Sequence, residues 1–145
     1  MKCKNWPFKI FRQIFVIVVL SVLISSCSKK LQFTQSAVVP AAKGRVKIKK
    51  DDNGNYAIDL EISNLAKSEQ LQPPKQHYIV WLESDQTSLK NLGQLKSSSG
   101  LFSSTLKASL NTVTSFKPKR IFITAEDAVD LTYPQGPPVL TTTNY

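Results

Sequence analysis

The segment HYIVWLES, residues 77–84, is apolar on both of the faces that a β-strand presents. Tyr78, Val80 and Leu82 alternate with Ile79 and Trp81, so a period of two places three apolar side chains on one face and two on the other. A strand with two apolar faces has to be covered on both sides. The segment therefore predicts a central strand, with Trp81 in a core and not on an exposed sugar-stacking platform.

Two amphipathic segments precede this strand. RVKIKK, residues 45–50, and YAIDLEIS, residues 56–63, both alternate apolar and polar side chains, which is typical of half-buried strands. Between them, Asn53-Gly54 is the favoured pair for a two-residue hairpin turn in which both central residues have positive φ. We therefore expect a β-hairpin with such a turn.

The same turn partly matches a calcium-binding loop. Asp51, Asn53 and Asn55 have the spacing of the first three oxygen ligands of an EF-hand loop. Tyr56 stands where that loop needs glycine, so we expect no metal site here.

Further short apolar segments follow, about 10 residues apart, which favours a sandwich or barrel over a parallel sheet with crossover helices. About 100 residues form one domain with one core, and we assign residues 44–145 to it. The additional strands are expected in NLGQL (91–95), GLFSSTLKA (100–108), RIFITAED (120–127) and GPPVLTTT (136–143).

An ordered set of residues in this region resembles the extracytoplasmic domain of anti-sigma-K factor (RskA-like) proteins, from about Gly44 to Thr143. The resemblance implies an all-β, immunoglobulin-like antiparallel β-sandwich. The sequence has neither the cytoplasmic helical domain nor the full membrane-spanning helix of such factors, so sigma-factor binding is not carried over. The resembling residues are Tyr78, Val80, Trp81, Leu82, Leu92, Gly93, Gly100, Phe102, Phe116, Ile123, Thr124, Glu126, Pro134, Gly136, Pro137 and Val139.

The N-terminus has the pattern of an export signal. Basic residues without acidic ones precede the apolar run IFVIVVLSVLI, residues 14–24, whose roughly 11 residues are fewer than the 17–25 that span a bilayer. The run ends in Leu23-Ile24-Ser25-Ser26-Cys27, which resembles a bacterial lipobox. We therefore predict a signal peptide in residues 1–26, including a signal helix, and cleavage between Ser26 and Cys27.

In the lipoprotein family the cysteine thiol carries a diacylglycerol and the new amine often carries a further acyl chain. Two or three chains hold a protein on a membrane very stably. The predicted partner of Cys27 is therefore the membrane, and residues 27–43 are predicted to be the lipidated cysteine and a tether. Ser28 after the cysteine favours the outer membrane, facing the periplasm, by resemblance to Gram-negative sorting rules.

Cysteine and charge content exclude several other function classes. Removal of residues 1–26 and acylation of Cys27 leave no thiol for a disulfide. Of 19 basic and 10 acidic residues, four basic ones precede Cys27, which leaves a modest net charge of +5. We expect no nucleic-acid partner.

Few residues offer catalytic chemistry. His77 is the single histidine and is expected to be an ordinary polar residue at a strand end. Ser104 and Lys107 have the Ser-x-x-Lys spacing of penicillin-interacting enzymes, but the partner motifs of that family are missing. We predict a non-enzymatic protein without a cofactor.

Two charged groups are candidate interaction residues. Arg45, Lys47 and Lys49 line the exposed face or edge of one strand, where they either prevent edge-to-edge association or contact a lipid or polyanion. The second group, Glu126, Asp127 and Asp130, follows a strand, where it forms a solvated loop or meets a cation or a basic partner. The sequence thus indicates an envelope domain that binds an unknown envelope protein or, alternatively, a glycan or lipid.

Overall fold

The computed structural model describes residues 28–87, 89–98 and 106–145, and this part of the chain is all-β, as predicted. The predicted signal peptide, including Ser26, and Cys27 lie outside the described residues. A 3₁₀ turn covers Ser68–Gln70. The nine strands of the described residues are β1 (Ser28–Gln32), β2 (Lys43–Lys50), β3 (Tyr56–Ser63), β4 (His77–Glu83), β5 (Lys90–Gln94), β6 (Lys96–Ser98), β7 (Lys107–Thr114), β8 (Arg120–Glu126) and β9 (Pro138–Thr141).

The strands form two antiparallel sheets. A five-stranded sheet has the order β1-β2-β3-β7-β6, and a four-stranded sheet has the order β5-β4-β8-β9. Both sides of this two-layer arrangement are joined. On one side the chain passes from β5 to β6 through the buried residue Leu95, whose N–H donates to the carbonyl of Tyr78. On the other side Phe33 forms a bridge with Thr142.

The main core lies between the sheets and is built by the predicted alternation. Val46 and Ile48 of β2 and the inward side chains Ile58, Leu60 and Ile62 of β3 are at most 2% exposed. The inward side chain of Tyr78 belongs to this core, and its hydroxyl donates to the carbonyl of Ala66 at 3.0 Å. Burial, with a smaller contribution from the charge of Glu69, raises the pKa of Tyr78 to about 12.

The predicted hairpin is confirmed, but the predicted two-residue turn is wrong. Lys50 pairs with Tyr56, and Gly54 has a φ of 84° whereas Asn53 is not in the positive-φ region. The Gly54 N–H donates to the carbonyl of Asp51, which fits a type I turn closed by a left-handed glycine. The reason is the Asp51 carboxylate, which accepts hydrogen bonds from the backbone N–H groups of Asn53 and Asn55.

These bonds also set the protonation of Asp51. The backbone N–H of Asn55 holds the pKa of the Asp51 carboxyl below its usual range, because it stabilises the charged form. The Asp51 carboxylate, the first oxygen ligand considered for a calcium loop, is therefore used by the turn itself.

Residues 28–43, which are predicted to form a tether, are part of the folded domain instead. β1 pairs with β2 along its whole length, from Ser28 opposite Lys49 to Gln32 opposite Arg45. Leu31 enters the main core, and so do Val39 and Ala42 in the following segment. Ser36 donates a hydrogen bond to the carbonyl of Val139. Among the described residues the domain thus includes residues 28–43 and does not begin at residue 44.

Within the described ranges, no helix has the length and apolar character needed to cross a membrane.

Candidate interaction surface

The candidate basic residues lie on a sheet face and not at a sheet edge. β2 is an inner strand between β1 and β3, so the alternative of edge protection does not apply to it. Because Val46 and Ile48 point inward, Arg45, Lys47 and Lys49 point to the outer face of the five-stranded sheet. Lysine and arginine here are exposed and can reach a binding partner.

Only part of this basic character is neutralised by neighbouring carboxylates. Arg45 forms an exposed ion pair with Glu61 on β3, with 2.6 Å between Nη2 and Oε2. Lys47 has Asp59 as its Cα partner on β3, but its Cα partner on β1 is Lys30. Like charges directly opposite each other on neighbouring strands repel, so the Lys30–Lys47 pair is an unfavourable arrangement for the isolated domain.

The candidate acidic residues do not form one cluster. Glu126 ends β8 and is 1% exposed. The prediction that it is available to a partner is therefore wrong. Its Oε1 accepts hydrogen bonds from the backbone N–H groups of Gln135 at 3.1 Å and Gly136 at 3.4 Å. Among the described side chains Oε2 has no hydrogen-bond partner. Glu126 therefore holds the β8–β9 loop, residues 127–137, onto the sheet.

The other two acidic residues are exposed and separate in role. Asp127 forms an ion pair with Lys75, with 2.6 Å between Oδ2 and Nζ, and Asp130 lies exposed in the β8–β9 loop. A surface ion pair such as the one between Asp127 and Lys75 contributes about 0–1 kcal/mol to the free energy of unfolding. Within the part of the chain that is described, no group of three His, Cys, Asp or Glu side chains could hold a metal ion.

The β8–β9 loop covers the outer face of the four-stranded sheet. Trp81 is completely buried, as predicted, but it lies in a second small core with Ile79 and Phe122, outside the space between the sheets. Val129 and Leu131 of the loop pack against these residues. The Trp81 indole N–H donates to Thr124 Oγ1 at 2.8 Å, so the polar atom of the ring is satisfied.

Asn91 on β5 fastens this loop at its other end. Its side-chain Nδ2 donates to the carbonyls of Val129 and Leu131, both at 3.0 Å. Its Oδ1 accepts from the N–H of Gly93 at 2.9 Å, so the side chain is fixed in one orientation. Sequence reasoning missed Asn91, because an asparagine inside a short strand has no local signal that reveals a bond to a loop about 40 residues away.

The remaining polar candidates have modest surroundings. Gln94 Nε2 and His77 Nδ1 lie 2.9 Å apart, within hydrogen-bond distance, at the rim of the four-stranded sheet. A cleft of about 900 Å³ lies at the end of the five-stranded sheet, with Phe33, Arg45, Glu61 and Lys107 among its lining residues. Ser104, whose spacing to Lys107 matches the Ser-x-x-Lys motif, and Phe102 lie outside the described residues, and Lys107 is the first residue of β7.

The predicted modification site cannot be placed in this geometry, because Ser26 and Cys27 precede the first described residue. A comparison with known protein families, characterised proteins and solved structures finds no match to this chain.

Proposed function

We propose that the protein is a bacterial lipoprotein of the cell envelope, held on the outer membrane by lipid on Cys27, and that it presents a non-enzymatic domain to another envelope protein. The observation that carries this proposal is the lipobox-like Leu23-Ile24-Ser25-Ser26-Cys27 directly before the first strand of a folded domain. Its mechanism would be localisation combined with recognition or envelope sensing.

We also propose that the domain has an immunoglobulin-like topology, like the outer domain of anti-sigma-K factors. The strand order supports this, because β2-β3-β7-β6 opposite β5-β4-β8-β9 follows the order of such sandwiches, with β1 as an addition. Trp81 departs from antibody domains, in which the tryptophan of the corresponding strand packs between the sheets.

The alternative is a module that binds an envelope glycan or lipid. The cleft at the end of the five-stranded sheet favours it, since its volume lies within the range of small-molecule sites. The complete burial of Trp81 counts against it, because an aromatic sugar platform has to be exposed.

In-cell cross-linking of the native protein, compared with a Cys27→Ser variant, tests the proposal. Mass spectrometry of the intact protein should give the mass of a chain that is cleaved before Cys27 and carries acyl groups. Cross-linking should identify specific protein neighbours that are absent when the Cys27→Ser variant is used. An unmodified, unprocessed chain in the cytosol would refute the anchor. Lipidation without any reproducible protein neighbour would instead favour the ligand-binding alternative.

A further inference from the structure

The net charge of the chain after Cys27 is concentrated on one surface. We define the basic face as the outward side chains of the five-stranded sheet. It has seven basic residues and two acidic ones, Asp59 and Glu61, and therefore a net charge of +5. The charges of the other eight basic and eight acidic residues after Cys27 sum to zero. The basic residues of this face are Lys30, Lys43, Arg45, Lys47, Lys49, Lys96 and Lys107.

Three lysines dominate the part of the basic face that is nearest to Cys27. Lys30, Lys47 and Lys49 take part in none of the ion pairs found among the described residues, whereas Arg45 is paired with Glu61. Lys30 and Lys47 are direct cross-strand partners. An anionic surface would relieve their mutual repulsion, because each positive charge would gain a nearby negative one.

The basic face also begins directly at the proposed lipid. Ser28 lies at the end of this face in one row with Lys49, Ala57 and Val113. Since a strand rises about 3.3 Å per residue, Lys30 lies only about 7 Å along the chain from Ser28. That is within one Debye length, about 8 Å at physiological ionic strength, so charges on an adjoining surface are only partly screened from it.

The same face carries an exposed apolar side chain, two strands away from Lys49. Val113 on β7 is 64% exposed, and it lies in the row that contains Ser28. A face that carries both lysines and an exposed apolar side chain suits the headgroup region of a bilayer, where charge and apolar surface are both accommodated.

We propose that the basic face lies flat against anionic phospholipid headgroups of the membrane that holds Cys27. This inference rests on the proposed lipid anchor. The absence of a tether after Ser28 in the described structure favours the bilayer as occupant over an acidic protein or glycan, because the anchor keeps that surface at a high effective concentration next to β1. The four-stranded sheet and its β8–β9 loop then face away from the membrane, towards a protein partner.

Chemical acetylation of lysines in the protein, expressed from its full-length sequence so that it can be processed and lipidated, tests this orientation. The protein is purified from membranes and reconstituted in neutral phosphatidylcholine vesicles or in vesicles with about 30% phosphatidylglycerol. Mass spectrometry of the peptides then gives the labelling rate of each lysine. We expect Lys30, Lys47 and Lys49 to be labelled at least about fivefold more slowly on the anionic vesicles, and Lys67 and Lys90 to be labelled equally on both.

A Lys30→Glu variant separates binding from folding. It places opposite charges on the cross-strand pair with Lys47, so the fold is expected to be at least as stable as that of the parent. The variant should nevertheless lose most of the protection of Lys47 and Lys49, and Lys67→Glu should retain it. An equal loss in both variants would overturn the proposed face.

The remaining outcomes distinguish this inference from the proposed anchor. Equal labelling of all five lysines, or equal protection on neutral and anionic vesicles, overturns the headgroup contact even when Cys27 is lipidated. Protection that appears in cells but on neither vesicle assigns the face to a protein or glycan, and also overturns it. If the intact mass of the purified protein lacks lipid, the proposed anchor is refuted. The basic face is still supported if this unlipidated chain binds anionic vesicles and the Lys30→Glu substitution abolishes that binding.

Discussion

The attachment of the β8–β9 loop over Trp81 allows a quantitative prediction for Asn91→Ala. The substitution removes two hydrogen bonds to loop carbonyls and a third to the Gly93 N–H. Each such bond contributes about 1 kcal/mol net, so the free energy of unfolding should fall by about 2–3 kcal/mol. Val129 and Leu131 keep their apolar contacts, so we expect the sheets to remain folded.

Urea unfolding and acrylamide quenching measure this effect. Trp81 is the single tryptophan after the predicted cleavage site, because the other, Trp6, lies in the predicted signal peptide. Asn91→Ala should unfold at lower urea and show faster quenching of Trp81 without denaturant, because the loop opens more often. Asn111→Ala, an exposed position on β7, is the control and should change the free energy by no more than about 0.5 kcal/mol. If the two variants unfold alike and quench alike, the loop is not held by Asn91.

Two further predictions concern the main core. Gly44→Ala should cost about 1–3 kcal/mol, measured by thermal unfolding, because the added Cβ would lie 2.6 Å from Phe33 Cδ2; an unchanged melting temperature would contradict this contact. Tyr78, whose pKa burial raises from about 10 to about 12, releases its proton first in the unfolded chain. The stability that it contributes is therefore complete below pH 10 and declines towards pH 12. The free energy of unfolding, measured with urea, should fall more over this pH interval for the parent than for Tyr78→Phe. An equal fall in both proteins would show that the hydroxyl is not buried.

The pattern of apolar and polar side chains along the chain is enough to locate several central strands of this domain. β2 and β3 lie where the period of two predicts them, with the expected faces buried, because burying one face of a pleated strand requires that pattern, and β4 is covered on both faces as its two apolar faces predict. The hairpin at Gly54 follows from a similarly local signal. Its turn type does not, since the Asp51 carboxylate competes for the backbone N–H groups that define the turn.

Only the tertiary structure decided what each face meets. β1 has a single buried apolar residue, Leu31, and pairs through its backbone, whose hydrogen bonds leave little trace in the sequence. Glu126 is buried, and Trp81 is covered by a loop and not by the second sheet, because both depend on where residues 127–137 fold. The sequence therefore determined the strands whose burial imposes a pattern of apolar side chains, such as β2, β3 and β4, whereas the pairing of distant segments placed the charges of β1 and β2 on one surface.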